Sequence, residues 1–268
     1  MIKNIDGLLE HVEINLRKRM DAAIIGLSGG ADSTLVTLLA IKALGRENVF
    51  GVHMPYGQLD RESFNTKSIK LANHLGIKHE TIEIGSAVDS LINECVDNFD
   101  ISKLNNGNMR SRMRMVALYT VCCSLRERTG NKVRVLGTGN LSEDFIGYDT
   151  KGGDALCDYF PIGALVKSEV YQLLEYFRDN GEITEDMIDR VPSAGLWDGQ
   201  TDEGELGYTY EQMEPYVINL YNRMVVHKGK TTAINMNDPI LKFVLERHIG
   251  NKHKHQAPPV LALREFCK

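Results

Sequence analysis

Residues 22–33 read AAIIGLSGGADS, an apolar run that ends in two adjacent glycines. The apolar part predicts a buried strand, and the spacing of apolar residues over 35–44 predicts a helix after the turn. Adjacent glycines let the backbone turn tightly and bring its N–H groups close to an anion. The helix that follows points its positive end at the same place. We therefore interpret this stretch as a strand, a phosphate-binding turn and a helix.

The segments on either side of this turn continue an alternation of strands and helices. Apolar periodicity predicts further strands over 48–54, 78–84 and 132–137. It predicts helices over 4–19, 61–75, 86–97, 109–128, 167–179, 209–227 and 239–249. Such an alternation predicts an α/β fold, a three-layer Rossmann-like parallel sheet flanked by helices on both faces. Residues 138–161 are weakly periodic, which leaves a functional lid or a disordered stretch as alternatives.

Composition narrows the class of protein. The 268 residues are 43% hydrophobic, which suits one large domain or a domain with an added helical segment; we expect a single domain over 1–268. No apolar run is long enough to span a membrane, and the N-terminus lacks a secretory signal. The net charge of -5 gives no general reason to bind nucleic acid. Five cysteines without CxxC spacing argue against disulfides and zinc, so we expect a cytoplasmic protein.

The glycine turn also carries polar groups suited to a nucleotide. Ser28 and Ser33 offer hydroxyl donors, and Asp32 offers a carboxylate to a phosphate-bound Mg²⁺. An ordinary strand-to-helix turn with serine caps is the alternative. Neither GxxxxGK[ST] nor GxGxxG occurs in the chain. The string instead resembles the SGGxDS signature of the PP-loop ATP pyrophosphatases, which cleave ATP between the α and β phosphates and pass AMP to an oxygen of a second substrate.

Later segments resemble the NAD synthetases within that superfamily. The similar strings are GNMRSRMRM (107–115), TGNLSE (138–143), FPIGALVK (160–167), PSAGLW (192–197), DEGELG (202–207) and HK (253–254) followed by PP (258–259). Two strings depart from the family pattern: GTGNLSE replaces GTDHAAE, and KGGDALCD (151–158) replaces KYGDGGxD. The resemblance implies an adenine nucleotide alpha hydrolase-like fold. It also implies ATP-dependent amidation of deamido-NAD with ammonia through an adenylate, giving NAD, AMP and diphosphate.

The same resemblance assigns roles to individual residues. Asp32 and Glu143 would hold Mg²⁺, Lys167 would contact the ATP phosphates, and Asp154 would accept a proton from ammonium. The ATP-binding set would comprise Gly26, Leu27, Ser28, Gly29, Gly30, Ala31, Asp32, Ser33, Thr138, Lys167 and Ser193. The deamido-NAD-binding set would comprise Arg112, Lys151, Asp158, His253 and Lys254. Each of the polar residues has a simpler alternative as a helix cap or a solvated side chain.

The nitrogen donor and the partners follow from the resemblance as well. Ammonia is expected rather than glutamine, because no glutamine amidotransferase or nitrilase domain is visible; a separate amidase subunit stays possible. The family's members form homodimers with the deamido-NAD site near the interface. One rival is a tRNA-thiolating PP-loop enzyme, which would need a basic extension and a cysteine pair. Another is a nucleotide-binding sensor without catalysis, which would have little use for Glu143 and Lys167.

Overall fold

The computed structural model describes residues 1–96, 99–188, 201–226 and 237–257, and it describes the side chains of these residues except 58–66 and 225–226. The strands are Ala22–Gly26 (β1), Val49–His53 (β2), Lys78–Thr81 (β3) and Val133–Leu136 (β4). The helices are Ile5–Arg19 (α1), Ala31–Leu44 (α2), Gly57–Leu75 (α3), Gly85–Val96 (α4), Lys103–Thr129 (α5), Leu141–Ile146 (α6), Lys167–Asp179 (α7), Asp202–Leu206 (α8), Tyr210–Tyr221 (α9) and Pro239–Asn251 (α10).

The four strands form one parallel sheet in the order β3-β2-β1-β4. Ile24 of β1 pairs with Phe50 of β2 on one side and with Val135 of β4 on the other. The chain leaves β1 toward one edge and returns to its other side at β4, so β1 and β4 flank a topological switch point. Ligands of open parallel sheets bind outside the carboxyl ends of strands at such a point. The glycine turn after β1 lies there.

Helices cover both faces of the sheet. Ile25 of β1 packs with α1, α2 and α7, where buried residues such as Leu35 and Phe177 form the largest apolar cluster. Its neighbour Ile24 points the other way and packs with Val88 of α4 and Met115 of α5. Successive strand residues face opposite sides, and both sides are apolar here, as a sheet buried between helices requires. The predicted three-layer α/β fold is confirmed.

A third apolar cluster joins α6, α9 and α10. Phe145 and Ile146 of α6 pack there with Met213 and Val217 of α9 and with Val244 of α10. Val166, the residue before α7, belongs to the same cluster. The cluster therefore fixes the short helix α6 beside the N-terminus of α7.

The segment 138–161 differs from one of the two sequence-based expectations. It contains α6, which begins after Asn140, whose side chain accepts a hydrogen bond from Glu143 N at 3.2 Å, and ends at Gly147 with φ 63°. The alternative of a disordered stretch is therefore wrong. Periodicity missed α6 because a helix of six residues is too short to show a repeating apolar face.

Two further outcomes concern the helices. Helix α5 begins at Lys103, six residues before the predicted start, because Ser102 caps it with a bond from Asn105 N. Over the described ranges, we find no helix with the length and apolar character needed to cross a membrane.

Candidate active site

The turn after β1 is built to leave backbone N–H groups open. Gly29 has φ 72°, and a Cβ at this position would lie 3.1 Å from Lys67 Cβ and from Ser68 N, so only glycine fits. Ser28 Oγ accepts a hydrogen bond from Gly30 N, and Ser33 Oγ donates to Gly30 O, both at 3.1 Å. Gly30 is the N-cap of α2 and has no side chain with which to cap it. The first N–H groups of this helix are thus available to an anion.

Three charged side chains converge beside this turn. Lys167 Nζ lies 2.6 Å from Asp32 Oδ2 and 2.9 Å from Glu143 Oε1. Asp32 comes from α2, Glu143 from α6, and Lys167 is the first residue of α7. Lys167 is buried, and each carboxylate side chain is 18% exposed. The two carboxylates predicted to hold Mg²⁺ therefore face each other across a single ammonium group.

The pKa values of Lys167 and Glu143 are shifted by burial and by the neighbouring charges. Burial lowers the pKa of Lys167, but Asp32 and then Glu143 outweigh it and raise that pKa above its usual range. For Glu143, burial raises the pKa to about 7; Lys167 opposes this shift and Asp32 adds to it. Two mostly buried carboxylates with one ammonium leave an excess of negative charge. The site thus favours an additional cation.

Other residues orient these carboxylates. Asn140 is fully buried; its Nδ2 donates to Asp32 Oδ1 at 3.0 Å while its Oδ1 caps α6. The Tyr210 hydroxyl donates to Asp202 Oδ2 at 2.9 Å and lies 3.4 Å from Glu143 Oε1. The sequence motifs do not assign a role to Asn140, Asp202 or Tyr210. For Asn140 a signal existed, because Asn followed three residues later by Glu is typical of a helix start.

A cavity of about 770 Å³ opens from the glycine turn. This volume is within the range of small-molecule sites. The sequence-predicted residues along its wall are Gly26, Leu27, Ser28, Gly30, Ala31, Asp32, Ser33, Thr138, Glu143, Asp154, Lys167 and Lys254. The structure thus brings most of the predicted ATP-binding, catalytic and metal-binding residues to one cavity. Ser193 lies outside the described residues.

Asp154 reaches the cavity on a turn that is fastened to α5. Its Oδ1 accepts hydrogen bonds from Ser111 Oγ and from Thr150 N, both at 2.8 Å. Gly153 lies against the helix, and a Cβ there would clash with Ser111. The string KGGD therefore needs its second glycine so that the turn can approach α5 and aim the Asp154 carboxylate.

The basic residues predicted for the dinucleotide are divided between two places. Lys254 lines the cavity, and its Nζ donates to Gly147 O and Asp149 O at 2.7 Å. Arg112, Lys151 and His253 lie together at the exposed surface. Arg112 Nε donates to Lys151 O at 3.2 Å, and Lys151 Nζ donates to His253 O at 3.0 Å.

Asp158 lies elsewhere, beside β4. It accepts hydrogen bonds from Val135 N at 2.8 Å and from the Tyr119 hydroxyl at 3.4 Å. Since Val135 belongs to β4 and Tyr119 to α5, the Asp158 carboxylate bridges the edge of the sheet and a helix packed on it. The structure does not bring it together with Lys254 and the cavity wall.

Comparison with known proteins agrees with this geometry. The family model described as NAD synthase matches residues 4–258. An NH(3)-dependent NAD(+) synthetase of Methanosarcina acetivorans is 36% identical over 242 residues, which cover 90% of each chain. The structure of an NMN synthetase from Francisella tularensis superposes with a TM-score of 0.74 at 27% identity, covering 96% of this chain and 98% of that one.

A second solved structure gives the same result. The NH3-dependent NAD synthetase from Campylobacter jejuni, in complex with the nitrate ion, superposes with a TM-score of 0.68 at 26% identity and covers 96% of each chain. The resemblance stated from the sequence motifs is thus confirmed, and so is the adenine nucleotide alpha hydrolase-like fold. The family match spans both the glycine turn and the segments that carry Glu143, Asp154 and Lys167. This chain belongs to the NAD synthase family.

Proposed function

We propose that the chain carries out ammonia-dependent NAD synthesis at the cavity beside the glycine turn. The nicotinate carboxylate of deamido-NAD attacks the α-phosphate of ATP, giving an adenylate and diphosphate. Ammonia then displaces AMP and leaves the amide of NAD. The observation that carries the proposal is the convergence of Asp32, Glu143 and Lys167 at an anion-binding helix terminus.

The ATP-binding role of the cavity rests on complementary charge. Open N–H groups at the start of α2 and the Lys167 ammonium both favour phosphate oxygens. Thr138 adds a hydroxyl on the same wall, and Ser193 is proposed from the family resemblance alone. As diphosphate departs, negative charge grows on its oxygens. Lys167 then stabilises the transition state more than bound ATP, which accelerates the reaction.

Mg²⁺ fits the donor set of this site. Asp32 and Glu143 supply carboxylate oxygens, the ligands that this hard cation prefers together with phosphates. When bound, the ion would neutralise phosphate charge and so reduce its repulsion of the attacking carboxylate. Asn140 holds Asp32 by a hydrogen bond, and Tyr210 lies within reach of Glu143, so both carboxylates are oriented before a ligand arrives.

The acceptor and ammonia belong to the far side of the cavity in this proposal. Lys254, with Arg112, Lys151, Asp158 and His253, would hold the anionic dinucleotide, and Asp154 would take a proton from ammonium. From the family resemblance we also propose a homodimer, in which the partner subunit would cover the exposed Arg112, Lys151 and His253 and complete this part of the site. We also propose that residues 1–268 form a single domain, that the protein is cytoplasmic and that free ammonia is the nitrogen donor.

The test is an omission experiment. AMP, diphosphate and NAD are measured with ATP, Mg²⁺, deamido-NAD and ammonium, leaving out each component in turn. All three products should appear only in the complete mixture. Release of AMP and diphosphate that does not depend on deamido-NAD would show that the acceptor is wrong. ATP binding without turnover in any mixture would favour the nucleotide sensor.

A second acceptor substrate, a mononucleotide, should be tested in the same experiment. The Francisella structure with a TM-score of 0.74 is an NMN synthetase, so a mononucleotide carboxylate is a candidate substrate. The surface cluster of Arg112, Lys151 and His253 would then have no adenylate half of a dinucleotide to hold. Measuring kcat/KM for deamido-NAD and for the carboxylate form of NMN distinguishes the two acceptors, since the true acceptor should give the higher value.

A further inference from the structure

The helix that carries Lys167 begins without a capping side chain of its own. Val166 is the N-cap residue of α7, and valine has no group that can accept a bond from the first N–H groups. Two of those groups find partners on other helices. Lys167 N donates to Ser142 Oγ on α6, and Ser168 N donates to Glu214 Oε1 on α9, both at 3.0 Å.

Glu214 has an unusual environment for a charged residue. It is 6% exposed and accepts three hydrogen bonds: from Ser142 Oγ at 3.1 Å, Ser168 N at 3.0 Å and Ser168 Oγ at 2.5 Å. A carboxylate that only accepts bonds is best satisfied in its ionised form. Its negative charge lies at the positive end of α7, which favours it electrostatically. Burial of this carboxylate is thus offset by the helix terminus that it caps.

These bonds connect Glu214 to the candidate active site through its immediate neighbours. Ser142 precedes Glu143 in the chain, and Ser168 follows Lys167. One carboxylate on α9 therefore joins the Ser142 side chain of α6 to the backbone of α7, next to Glu143 and Lys167, which form an ion pair. The Glu214 carboxylate itself lies behind the cavity wall, so its effect on ATP must pass through these neighbours.

We propose that Glu214 is a positioning residue: it holds the start of α7 against α6 so that the Lys167 ammonium lies between Asp32 and Glu143. This role rests on the proposed function, in which Lys167 contacts the phosphates. Glu214→Gln keeps the size of the side chain but removes the charge and leaves at least one of the three donors without an acceptor. The N-terminus of α7 is then free to shift, and the ammonium with it.

The test is a double-mutant cycle with Glu214→Gln, Lys167→Met and both changes together. Two quantities are measured: the Kd of ATP with Mg²⁺ by calorimetry without acceptor, and the rate of diphosphate release in the complete mixture. We expect Glu214→Gln to weaken ATP binding about threefold and to slow release about tenfold, in line with a lost hydrogen bond to a charged group. The double variant should match Lys167→Met, because a positioning residue has nothing left to position.

The controls separate positioning from general loss of stability. Leu220→Ala removes a buried apolar side chain from the same helix and should lower the thermal midpoint without changing the rate. Ser142→Ala, which cuts the other bond to the start of α7, replaces Glu214→Gln if that variant does not fold. The proposal would be overturned if the fold-changes of the two single variants multiplied in the double variant. It would also be overturned if Glu214→Gln kept the wild-type Kd for ATP and the wild-type rate of diphosphate release. A wild type that binds ATP but releases no diphosphate refutes the proposed reaction, while the calorimetric cycle still decides the role of Glu214.

Discussion

The half of the site beside the glycine turn differs sharply from the half that carries the basic residues. In the first half, which we call the nucleotide half, Asp32, Glu143 and Lys167 contact one another from three helices. In the second, the acceptor half, Arg112, Lys151 and His253 are exposed and are linked through backbone oxygens. The polar groups of the nucleotide half are fixed before a substrate binds. Those of the acceptor half are exposed to solvent.

This difference indicates where each half obtains its rigidity. Buried polar groups must find partners within the fold, so the nucleotide half is preorganised by the same bonds that satisfy it. Exposed cations can be satisfied by water and need no such network. We therefore expect changes in the nucleotide half to affect the rate, and changes in the acceptor half to affect the affinity for the acceptor.

The largest effect is expected from Asp32→Asn. This change removes one of the two carboxylates proposed to hold Mg²⁺, which is also a carboxylate paired with Lys167. We expect diphosphate release to fall about 10³-fold at saturating substrates, the scale of losing one electrostatic contact to the transition state. Asp6→Asn, on the exposed part of α1, is the matched control and should keep the wild-type rate. A loss of less than tenfold for Asp32→Asn would mean that the nucleotide half is not where ATP reacts.

The second effect concerns protons and Mg²⁺ at Glu143. Because burial raises its pKa to about 7, this carboxylate takes up a proton as the pH falls below neutrality. Protons and Mg²⁺ compete for the same oxygens, so the Mg²⁺ concentration for half-maximal activity should rise about tenfold from pH 8 to pH 6. Glu143→Gln has no carboxylate to protonate and serves as the control, since protonation of ATP affects both proteins equally. An equal rise in the two proteins would place the titrating group outside Glu143.

A smaller effect is expected in the acceptor half from Arg112→Ala. We expect the KM for deamido-NAD to rise about fivefold while the KM for ATP and kcat change little, as for one exposed contact to an anion. Arg126→Ala, at the exposed C-terminal part of the same helix, is the matched control. If Arg112→Ala lowered kcat with no change in either KM, the two halves would not divide rate from affinity as we propose.

The two halves also differ in how far the sequence alone could predict them. The glycine turn places Asp32 by local rules, and the family resemblance supplied Glu143 and Lys167. The supporting contacts were not predictable, because Asn140 bonds Asp32 across 108 residues and Glu214 bonds Ser142 across 72. Apolar periodicity relates residues three or four apart and contains no information on such pairs. For the acceptor half the motifs named residues, but their exposure and the separate location of Asp158 became visible only in the folded chain.

The smallest expected effect is on stability, at the link between the acceptor half and the C-terminal segment. His255 Nε2 lies 2.5 Å from Asp149 Oδ2, and this bond raises the pKa of His255 although its partial burial lowers it. A raised histidine pKa means that the stabilisation is complete below the unfolded pKa of about 6.5 and is lost as the pH rises through the folded value.

For His255→Gln we therefore expect a deficit of about 0.5 kcal/mol in the free energy of unfolding at pH 6 and none at pH 9, since the pair is partly exposed. Urea unfolding at both pH values measures this deficit, and His253→Gln, an exposed position two residues away, is the matched control. A deficit of the same size at both pH values would assign the effect of His255 to packing. A deficit of several kcal/mol at pH 6 would contradict the proposed difference in rigidity between the two halves. The acceptor half would then be stabilised by internal contacts as strongly as the nucleotide half.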